Sequence, residues 1–303
     1  MGKFQILLYY KYIQINDPGR LKKDQDELCR GLNLKGRIIV ASEGINGTLE
    51  GLTEDTEKYI RLMMNDERLK NVHFKKSEGT GSAFPKLSIK VRSDIVSQKL
   101  EEFKLDPAKE TGKYLHPEEL HEWIHNGKEF YLVDMRNDYE TEVGYFKGSI
   151  FAPFENFRDL PKVLPILQEL TGKTIVTVCT GGVRCEKASA FLIKNGFKDV
   201  YQLFGGIVTY MEKYPNEDFV GKLYVFDGRV TMGFNTDSPM HKVVGRCTVC
   251  FENADTYYDC KNLYCQGKRH FISCERCIEK SFGYCQKCVS GRQSSEKEVV
   301  LAA

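Results

Sequence analysis

The chain has 303 residues, of which 41% are apolar and 28% are charged, and its net charge is +2. This length exceeds what one compact core accommodates and predicts two or three domains. No run of about 18 consecutive apolar residues occurs, so the sequence predicts a cytoplasmic protein with no membrane-spanning segment and no membrane partner.

Residues 1–93 follow the order strand, helix, strand, strand, helix, strand, which is the split β-α-β pattern of a ferredoxin-like domain. Pro18 stands at the predicted start of the first helix, and Thr53 is predicted to cap the second. Gly44, Gly47 and Gly51 interrupt the apolar pattern and predict a tight hairpin. The predicted strands are residues 4–12, 37–41, 72–75 and 86–91, and the predicted helices are residues 18–32 and 53–65.

The rest of the chain divides into a linker, a second domain and a cysteine-rich region. Residues 94–113 are polar and predict a linker. Residues 114–235 alternate short apolar strands with helices, which predicts a parallel α/β domain. Residues 236–290 are rich in cysteine, and the polar residues 291–303 predict a disordered tail. In the second domain the predicted strands are 130–134, 174–178 and 200–203, and the predicted helices are 117–125, 160–170 and 185–195.

Cys179 ends an apolar strand, and five loop residues separate it from the next predicted helix. Open α/β folds place their functional sites at this edge of the sheet. Loop amides and a helix N-terminus aimed at one sulfur favour the thiolate, and Arg184 adds positive charge nearby. A buried structural cysteine is the simpler alternative, but the whole arrangement favours a catalytic nucleophile. The amides that would surround the sulfur are those of Thr180, Gly181, Gly182 and Val183.

The residues around Cys179 resemble the active-site region of the rhodanese family. The family pattern C-x-x-G-x-R with an alanine-rich helix is matched by residues 179–190, and G-F-x-x-V-x-x-L-x-G-G by residues 196–206. The resemblance implies that Cys179 carries sulfur as a persulfide. A cysteine phosphatase is disfavoured, because its C-x5-R loop requires arginine at the position of Cys185.

Cys185 departs from the serine or threonine that is common at its position in rhodaneses. It stands at the predicted start of a helix, close enough to Cys179 to act as a resolving thiol or to form a transient disulfide. Alternatively, it replaces serine as the helix cap. The sequence favours neither interpretation.

Eight of the eleven cysteines lie between residues 247 and 288, and six of these eight form C-x-x-C pairs. Such pairs bring two thiolates to one tetrahedral ion, so eight sulfurs suffice for two structural zinc ions. Alternating and sequential pairing both fit, and His270 could replace one cysteine. Iron–sulfur binding and packed free thiols are the alternatives. The predicted metal ligands are Cys247, Cys250, Cys260, Cys265, Cys274, Cys277, Cys285 and Cys288.

Over most of its length the chain resembles the rhodanese-domain tRNA uridine hydroxylases. The resemblance rests on residues 41–48, on residues 179–187 and on the cysteine-rich region. It implies a ferredoxin- or acylphosphatase-like domain followed by a rhodanese domain. It also implies an oxidoreductase that uses molecular oxygen to convert uridine 34 of tRNA to 5-hydroxyuridine, with Cys179 essential. The sequence contains no flavin or nicotinamide motif, so it does not indicate how oxygen is activated.

The basic first domain is the predicted tRNA-binding surface. Residues 1–93 contain 17 Lys and Arg against 12 Asp and Glu, a net charge of +5, whereas residues 114–235 contain 13 against 17, a net charge of −4. Phe84 and Tyr10 are candidates for stacking on unpaired bases. A solvated strand face is the alternative for the basic residues. The predicted phosphate ligands are Lys75, Lys76, Lys86, Lys90 and Arg92.

Two other functions are consistent with the sequence. A sulfurtransferase would use the same Cys179 to pass persulfide sulfur to a small acceptor. A non-enzymatic binding module would recruit a partner through the cysteine-rich region, although the intact loop argues against it. No feature of the sequence sets the oligomeric state.

Overall fold

The computed structural model describes residues 2–96, 103–153, 155–267 and 269–290. Residues 97–102 of the predicted linker and the predicted disordered tail, 291–303, lie outside the described residues. The chain forms two compact units, and the predicted domain boundaries stay predictions. The first unit contains the residues up to Asp138 with Gly148–Tyr214 and Phe226–Arg229, and the second contains Tyr139–Lys147, Pro215–Val225 and the residues from Val230 on.

The N-terminal part of the first unit is a five-stranded sheet with two helices packed on it. The elements are β1 (Phe4–Tyr12), α1 (Pro18–Gly31), β2 (Lys35–Ala41), β3 (Gly44–Leu52), α2 (Thr53–Met64), β4 (Lys75–Glu78) and β5 (Leu87–Val91). The strand order is β4-β1-β3-β2-β5; β2 and β5 are parallel and the other neighbours are antiparallel. The order β4-β1-β3-β2 is the predicted ferredoxin-like arrangement.

Side chains along β1 alternate between the two faces of this sheet. Leu7 and Tyr9 are fully buried in the core beneath the helices, where the Tyr9 and Tyr59 hydroxyls are 2.6 Å apart. Because successive side chains of a strand point to opposite faces, Leu8 and Tyr10 point to the face away from the helices. That second face forms one wall of the candidate site.

The predicted tight hairpin is present: Ala41 pairs with Gly44, so a two-residue turn at Ser42 and Glu43 joins β2 to β3. The glycines themselves do not interrupt β3, and Gly47 fits under the Tyr9 ring, where a Cβ would lie 2.4 Å from Tyr9 Cζ. Two other local predictions in this part of the chain are wrong. Thr53 does not cap α2: Leu52 is the N-cap residue, and the Thr53 hydroxyl donates to Lys3 O. The edge strand β4 begins at Lys75, where the predicted strand ends.

The C-terminal part of the first unit has the predicted parallel sheet. Its elements are β6 (Lys113–Leu115), α3 (Pro117–His125), β7 (Tyr131–Asp134), β9 (Ile150–Phe151), α5 (Leu160–Leu167), β10 (Ile175–Val178), α6 (Val183–Lys194), β11 (Val200–Leu203) and α7 (Gly206–Lys213). Short 3-10 helices cover Phe157–Asp159 and Gln168–Leu170. The strand order is β6-β11-β10-β7-β9, with β10 in the centre and every pair of neighbours parallel.

The second unit consists of short two-stranded sheets around buried cysteines. β8 pairs with β12, β13 with β14 and β15 with β16, each pair antiparallel. In the described part of the chain, no helix is both long and apolar enough to cross a bilayer. The remaining elements are α4 (Asp138–Thr141), which begins on the last residue before this unit, β8 (Gly144–Phe146), β12 (Phe219–Gly221), β13 (Leu223–Tyr224), β14 (Thr231–Met232), β15 (Tyr257–Asp259), β16 (His270–Ile272) and α8 (Glu275–Lys280).

Candidate active site and metal centres

Cys179 lies directly after β10, the central strand of the parallel sheet, and its exposed fraction is 0%. α6 begins at Val183, so three loop residues follow the cysteine where five were predicted. Gly182 is the N-cap residue of α6 and has a φ of 97°, a left-handed conformation that favours glycine. The tight turn brings the first amides of α6 to the sulfur.

The sulfur of Cys179 is surrounded by hydrogen-bond donors. The Gly182 amide donates to Cys179 Sγ at 3.2 Å, and the amides of Arg184 and Cys185 also bond to it. Burial by itself raises the pKa of Cys179. The hydrogen bond from the Cys185 thiol, the charge of Arg184 and the amides outweigh burial and lower that pKa to about 6. These donors therefore favour the thiolate form of Cys179.

Cys185 is the third residue of α6 and is fully buried. Because Gly182 holds the N-cap position, the interpretation of Cys185 as a helix cap is wrong. Its side chain bonds to the sulfur of Cys179 and to Thr177, and burial raises its pKa well above the usual value. Cys185 thus remains protonated and donates its S–H to the Cys179 thiolate.

The first strand of the N-terminal sheet packs directly on the Cys179 loop. A Cβ on Gly181 would lie 2.7 Å from Leu8 Cδ2, and a Cβ on Gly182 would lie 2.8 Å from the Tyr10 hydroxyl. The Tyr10 hydroxyl in turn donates to Glu186 of α6 at 2.9 Å. The glycine pair therefore makes room for β1 as well as curling the loop, a role that the sequence did not indicate.

A cavity of about 360 Å³ opens above Cys179, between the loop and the outer face of the N-terminal sheet. Polar side chains from the N-terminal sheet and from loop and helix residues around Cys179 line it, and Phe226, which is 46% exposed, contributes an aromatic ring. Asn46 Nδ2 donates to Ile95 O at 3.0 Å. Sequence reasoning missed these residues, because they are far apart in the chain and carry no spacing signal. The polar residues lining the cavity are Arg37, Asn46, Thr48, Asn137, Asn156, Arg158, Thr180 and Arg184.

The five predicted phosphate ligands do not form one surface. Lys75 is only 6% exposed and donates to Gly181 O at 2.9 Å, so it lies inside the unit. Lys76 is exposed and paired with Glu57 at 2.6 Å. Lys86, Lys90 and Arg92 are exposed at or beside β5, at the other edge of the sheet from β4.

The two residues suggested for base stacking also differ from their predicted placement. Phe84 is buried, with the Arg37 guanidinium 5.8 Å from its ring centre, so its ring is not offered to an unpaired base. Tyr10 lines the cavity above Cys179. The site therefore retains Tyr10 and not Phe84.

The cysteines of the second unit form two groups of four, among the residues that the structure describes. Within each group the sulfurs lie within 4.8 Å of one another, and Cys250 and Cys274 are 3.7 Å apart. Four thiolates at about 2.3 Å from one ion would be about 3.8 Å apart, so the donors fit a tetrahedral metal ion. The groups are Cys247, Cys250, Cys274 and Cys277, and Cys260, Cys265, Cys285 and Cys288.

The pairing of the cysteines is therefore alternating along the chain, which resolves the two possibilities that the sequence left open. His270 belongs to neither group: its Nδ1 is 2.8 Å from Asp259, and its Nε2 is 3.2 Å from the Tyr224 hydroxyl. The suggestion that His270 replaces a cysteine is wrong. Backbone amides lower the pKa of Cys247 to about 6 and that of Cys260 to about 7, against the opposing effect of burial. One cysteine of each group thus favours the thiolate form that binds metal. Burial and the neighbouring sulfurs raise the pKa of Cys265, Cys277 and Cys285.

A parallel sheet whose central strand ends at a cysteine held by helix amides defines a rhodanese-type protein. Three family models match the chain: the UPF0176 acylphosphatase like domain over residues 4–95, the rhodanese-like domain over 116–213 and the rhodanase C-terminal region over 220–289.

Curated relatives extend the similarity to nearly the whole chain. A tRNA uridine(34) hydroxylase from Cytophaga hutchinsonii is 42% identical over 287 residues, which cover 95% of this chain and 90% of the relative. One from Enterococcus faecalis is 42% identical over 93% of this chain and 89% of its own length. One from Bacillus cytotoxicus is 43% identical over 86% and 81%. The chain belongs to the tRNA uridine(34) hydroxylase family.

Proposed function

We propose that the chain hydroxylates uridine 34 of tRNA in the cytoplasm, with molecular oxygen as co-substrate and Cys179 as the essential residue. The observation that carries the proposal is the cavity above Cys179. Its volume of about 360 Å³ is at the lower end of the range of about 300–1,000 Å³ that is usual for ligand pockets. A single nucleotide fits this size better than a large substrate does.

The cavity walls offer complementary groups for such a nucleotide. Because Asn46 Nδ2 already donates to Ile95 O, the group that Asn46 offers to a base is its Oδ1 acceptor. Uracil carries an N3–H donor, whereas cytosine carries an acceptor there, so this contact favours uridine. Arg37 and Arg158 supply charge for the flanking phosphates, and Phe226 supplies a ring for stacking.

Cys179 is the group with redox chemistry in this cavity. Its lowered pKa favours the thiolate, the form of cysteine that is oxidised to a sulfenate and that carries persulfide sulfur. Arg184 and the loop amides of Thr180, Gly181, Gly182 and Val183 would hold the negative charge of either species.

Nucleoside mass spectrometry tests the proposal. tRNA from cells lacking the protein is compared with tRNA from cells complemented by wild type, Cys179→Ala or Cys29→Ala. Cys29 is buried in the core of the N-terminal sheet and serves as the matched control. We expect 5-hydroxyuridine-type nucleosides to return with wild type and Cys29→Ala and to stay absent with Cys179→Ala. An unchanged nucleoside profile in the deletion strain would refute the proposal.

The second unit would hold two zinc ions in this proposal. Four cysteines would close each ion, and a closed site of this kind stabilises a fold without taking part in a reaction. The proposed ligands are the two alternating groups described above. Metal analysis of the purified protein should find about two zinc ions per chain and no iron.

A persulfide sulfurtransferase is the second candidate, because the same amides that stabilise a thiolate would stabilise a persulfide on Cys179. Fast turnover of thiosulfate and cyanide, together with an unchanged tRNA profile in the deletion strain, would favour that function. A non-enzymatic binding module is disfavoured, because an inert thiol does not require a lowered pKa.

A further inference from the structure

Lys75 is a buried lysine that the proposed function leaves unexplained. It is 6% exposed, and no carboxylate of the described residues forms an ion pair with it. Burying an ammonium group that makes no direct ion pair is costly, so such a lysine needs a specific reason. Its neighbour Lys76 points the other way, is exposed and pairs with Glu57.

The contacts of Lys75 connect it to the Cys179 loop. Lys75 Nζ donates to the carbonyl oxygen of Gly181 at 2.9 Å, and it lies 4.6 Å from the centre of the Tyr10 ring. The amide of the next residue, Gly182, donates to Cys179 Sγ at 3.2 Å. The Gly181 carbonyl and the Gly182 amide belong to the same peptide group.

This geometry places one peptide group between a positive and a negative charge. The ammonium group attracts electron density towards the Gly181 oxygen, and the Gly182 N–H becomes a stronger donor to the sulfur, because hydrogen bonds in series polarise one another. The positive charge itself also favours a thiolate nearby.

We infer that Lys75 is a positioning residue for Cys179: through the Gly181–Gly182 peptide, the N-terminal domain stabilises the negative sulfur of the rhodanese-type loop. The inference rests on the proposed role of Cys179 as the reactive thiol. It assigns to β4 a part in the active centre in place of the contact with tRNA phosphate predicted for Lys75.

The electrostatic surroundings agree with this role. Burial lowers the pKa of Lys75 to about 8, and the charges of Cys179 and Glu186 oppose that decrease. Coupling between two titrating groups is reciprocal, so a sulfur that favours the ammonium form of Lys75 is itself favoured as a thiolate by Lys75. The titratable and charged groups that act on Cys179 or Lys75 from the elements packed around them are Tyr10, Tyr12, His73, Arg184, Cys185 and Glu186.

The pH dependence of Cys179 alkylation tests the inference. Iodoacetamide labelling, measured on the Cys179 peptide by mass spectrometry, gives a rate that rises with the thiolate fraction. The wild-type midpoint should lie at about pH 6. Lys75→Met should raise the midpoint by about one unit, a tenfold change in the thiolate-to-thiol ratio. Lys75→Arg should raise it less, because it retains the charge, and Lys76→Met should match wild type.

The midpoint and the plateau rate together separate an electrostatic role from a structural one. A loosened loop would change both, because access to the sulfur and the amide donors to it would change together. Loss of the Lys75 charge alone should move the midpoint and leave the plateau rate unchanged. A Lys75→Met midpoint equal to that of wild type would overturn the inference. Loss of hydroxylation in Cys179→Ala tests the proposed function separately, because the alkylation midpoint does not depend on any substrate.

A reciprocal measurement covers the case in which Lys75→Met does not fold. In Cys179→Ser the negative charge is absent while the shape of the side chain is kept. NMR titration of lysine labelled with carbon-13 at Cε should show a lower pKa for Lys75 in Cys179→Ser than in wild type. An identical Lys75 titration in the two proteins would contradict the coupling.

Discussion

Lys187 Nζ lies 2.8 Å from the Glu43 carboxylate, so an ion pair joins α6, the helix that follows the Cys179 loop, to the turn between β2 and β3. The same ammonium group lies 2.9 Å from Asp94, and Glu43 also accepts the Ile95 amide at 2.8 Å. Lys187 is 1% exposed. The segments 41–48 and 179–187, which support the family resemblance, are thus in direct contact, and the contact fixes the N-terminal sheet over the loop.

Removing the charge of Lys187 should destabilise the first unit. Lys187→Met leaves two partly buried carboxylates without their cation, and breaking such a pair costs about 3–5 kcal/mol. Chemical denaturation followed by circular dichroism measures the change. Lys213→Met, which removes a half-exposed lysine paired with Glu118, is the control and should cost under about 1 kcal/mol. Equal effects of the two variants would mean that the Lys187 pair is not a special contact.

Cys185 should set part of the reactivity of Cys179. Because the Cys185 thiol donates to the Cys179 sulfur, Cys185→Ala should raise the pKa of Cys179 above its value of about 6. The reactive thiolate exists above the pKa, so the midpoint of the alkylation rate should move to higher pH. Cys185→Ser keeps a donor and should shift it less, and Cys29→Ala should leave it unchanged. A Cys185→Ala profile that coincides with wild type would contradict the hydrogen-bond role.

The sequence predicted the parts of the site whose signals are local. A strand that ends at a cysteine, a glycine pair and paired C-x-x-C spacings each act within a few residues, and the structure has all three. The loop length was wrong by two residues, because Val183 and Arg184 already have helical conformation. Helix ends depend on caps that sequence patterns locate only to within one or two residues.

The contacts between the two domains of the first unit could not be predicted in this way. Lys75 and Lys76 are adjacent and chemically identical, yet strand alternation points one towards the Cys179 loop and the other to solvent. A count of basic residues treats them alike. The sequence likewise could not show that Asn46 and Asn137 line one cavity, because only the packing of the two parts of the first unit brings them together.

Asn46 should contribute to the choice of uridine over cytidine. Asn46→Ala removes the acceptor that we propose for uracil N3–H, so kcat/KM should fall about tenfold, the effect of a lost hydrogen bond of about 1.4 kcal/mol. Hydroxylation of an anticodon stem-loop, measured by mass spectrometry, gives this value. Asn65→Ala, at an exposed position after α2, is the control. Wild-type kcat/KM in Asn46→Ala would remove Asn46 from base recognition.

The basic residues at the β5 edge are the remaining candidates for contact with tRNA phosphates. Lys86, Lys90 and Arg92 are exposed there, whereas Lys76 lies four strands away. Reversing the three charges at the β5 edge should weaken tRNA binding and reduce the salt dependence of the affinity by about one unit of slope per residue. Lys76→Glu should have a smaller effect. Titrations of tRNA affinity at several salt concentrations measure the effects of the triple variant and of Lys76→Glu. Equal slopes for wild type and the triple variant would exclude the β5 edge as a contact for tRNA phosphates.

The alternating pairing of the cysteines predicts which double variants lose one metal ion and which lose two. Cys250 and Cys274 belong to one group and Cys265 to the other. Cys250→Ser with Cys274→Ser should therefore lose about one equivalent of zinc, whereas Cys250→Ser with Cys265→Ser should lose about two. Zinc per chain, measured by atomic spectroscopy after gel filtration, distinguishes the two results. Sequential pairing would put Cys250 and Cys265 in one site and Cys274 in the other, so the zinc losses of the two double variants would be exchanged. Because each proposed ion would stabilise the fold around it, the variant that loses both should also show the lower thermal midpoint for the second unit.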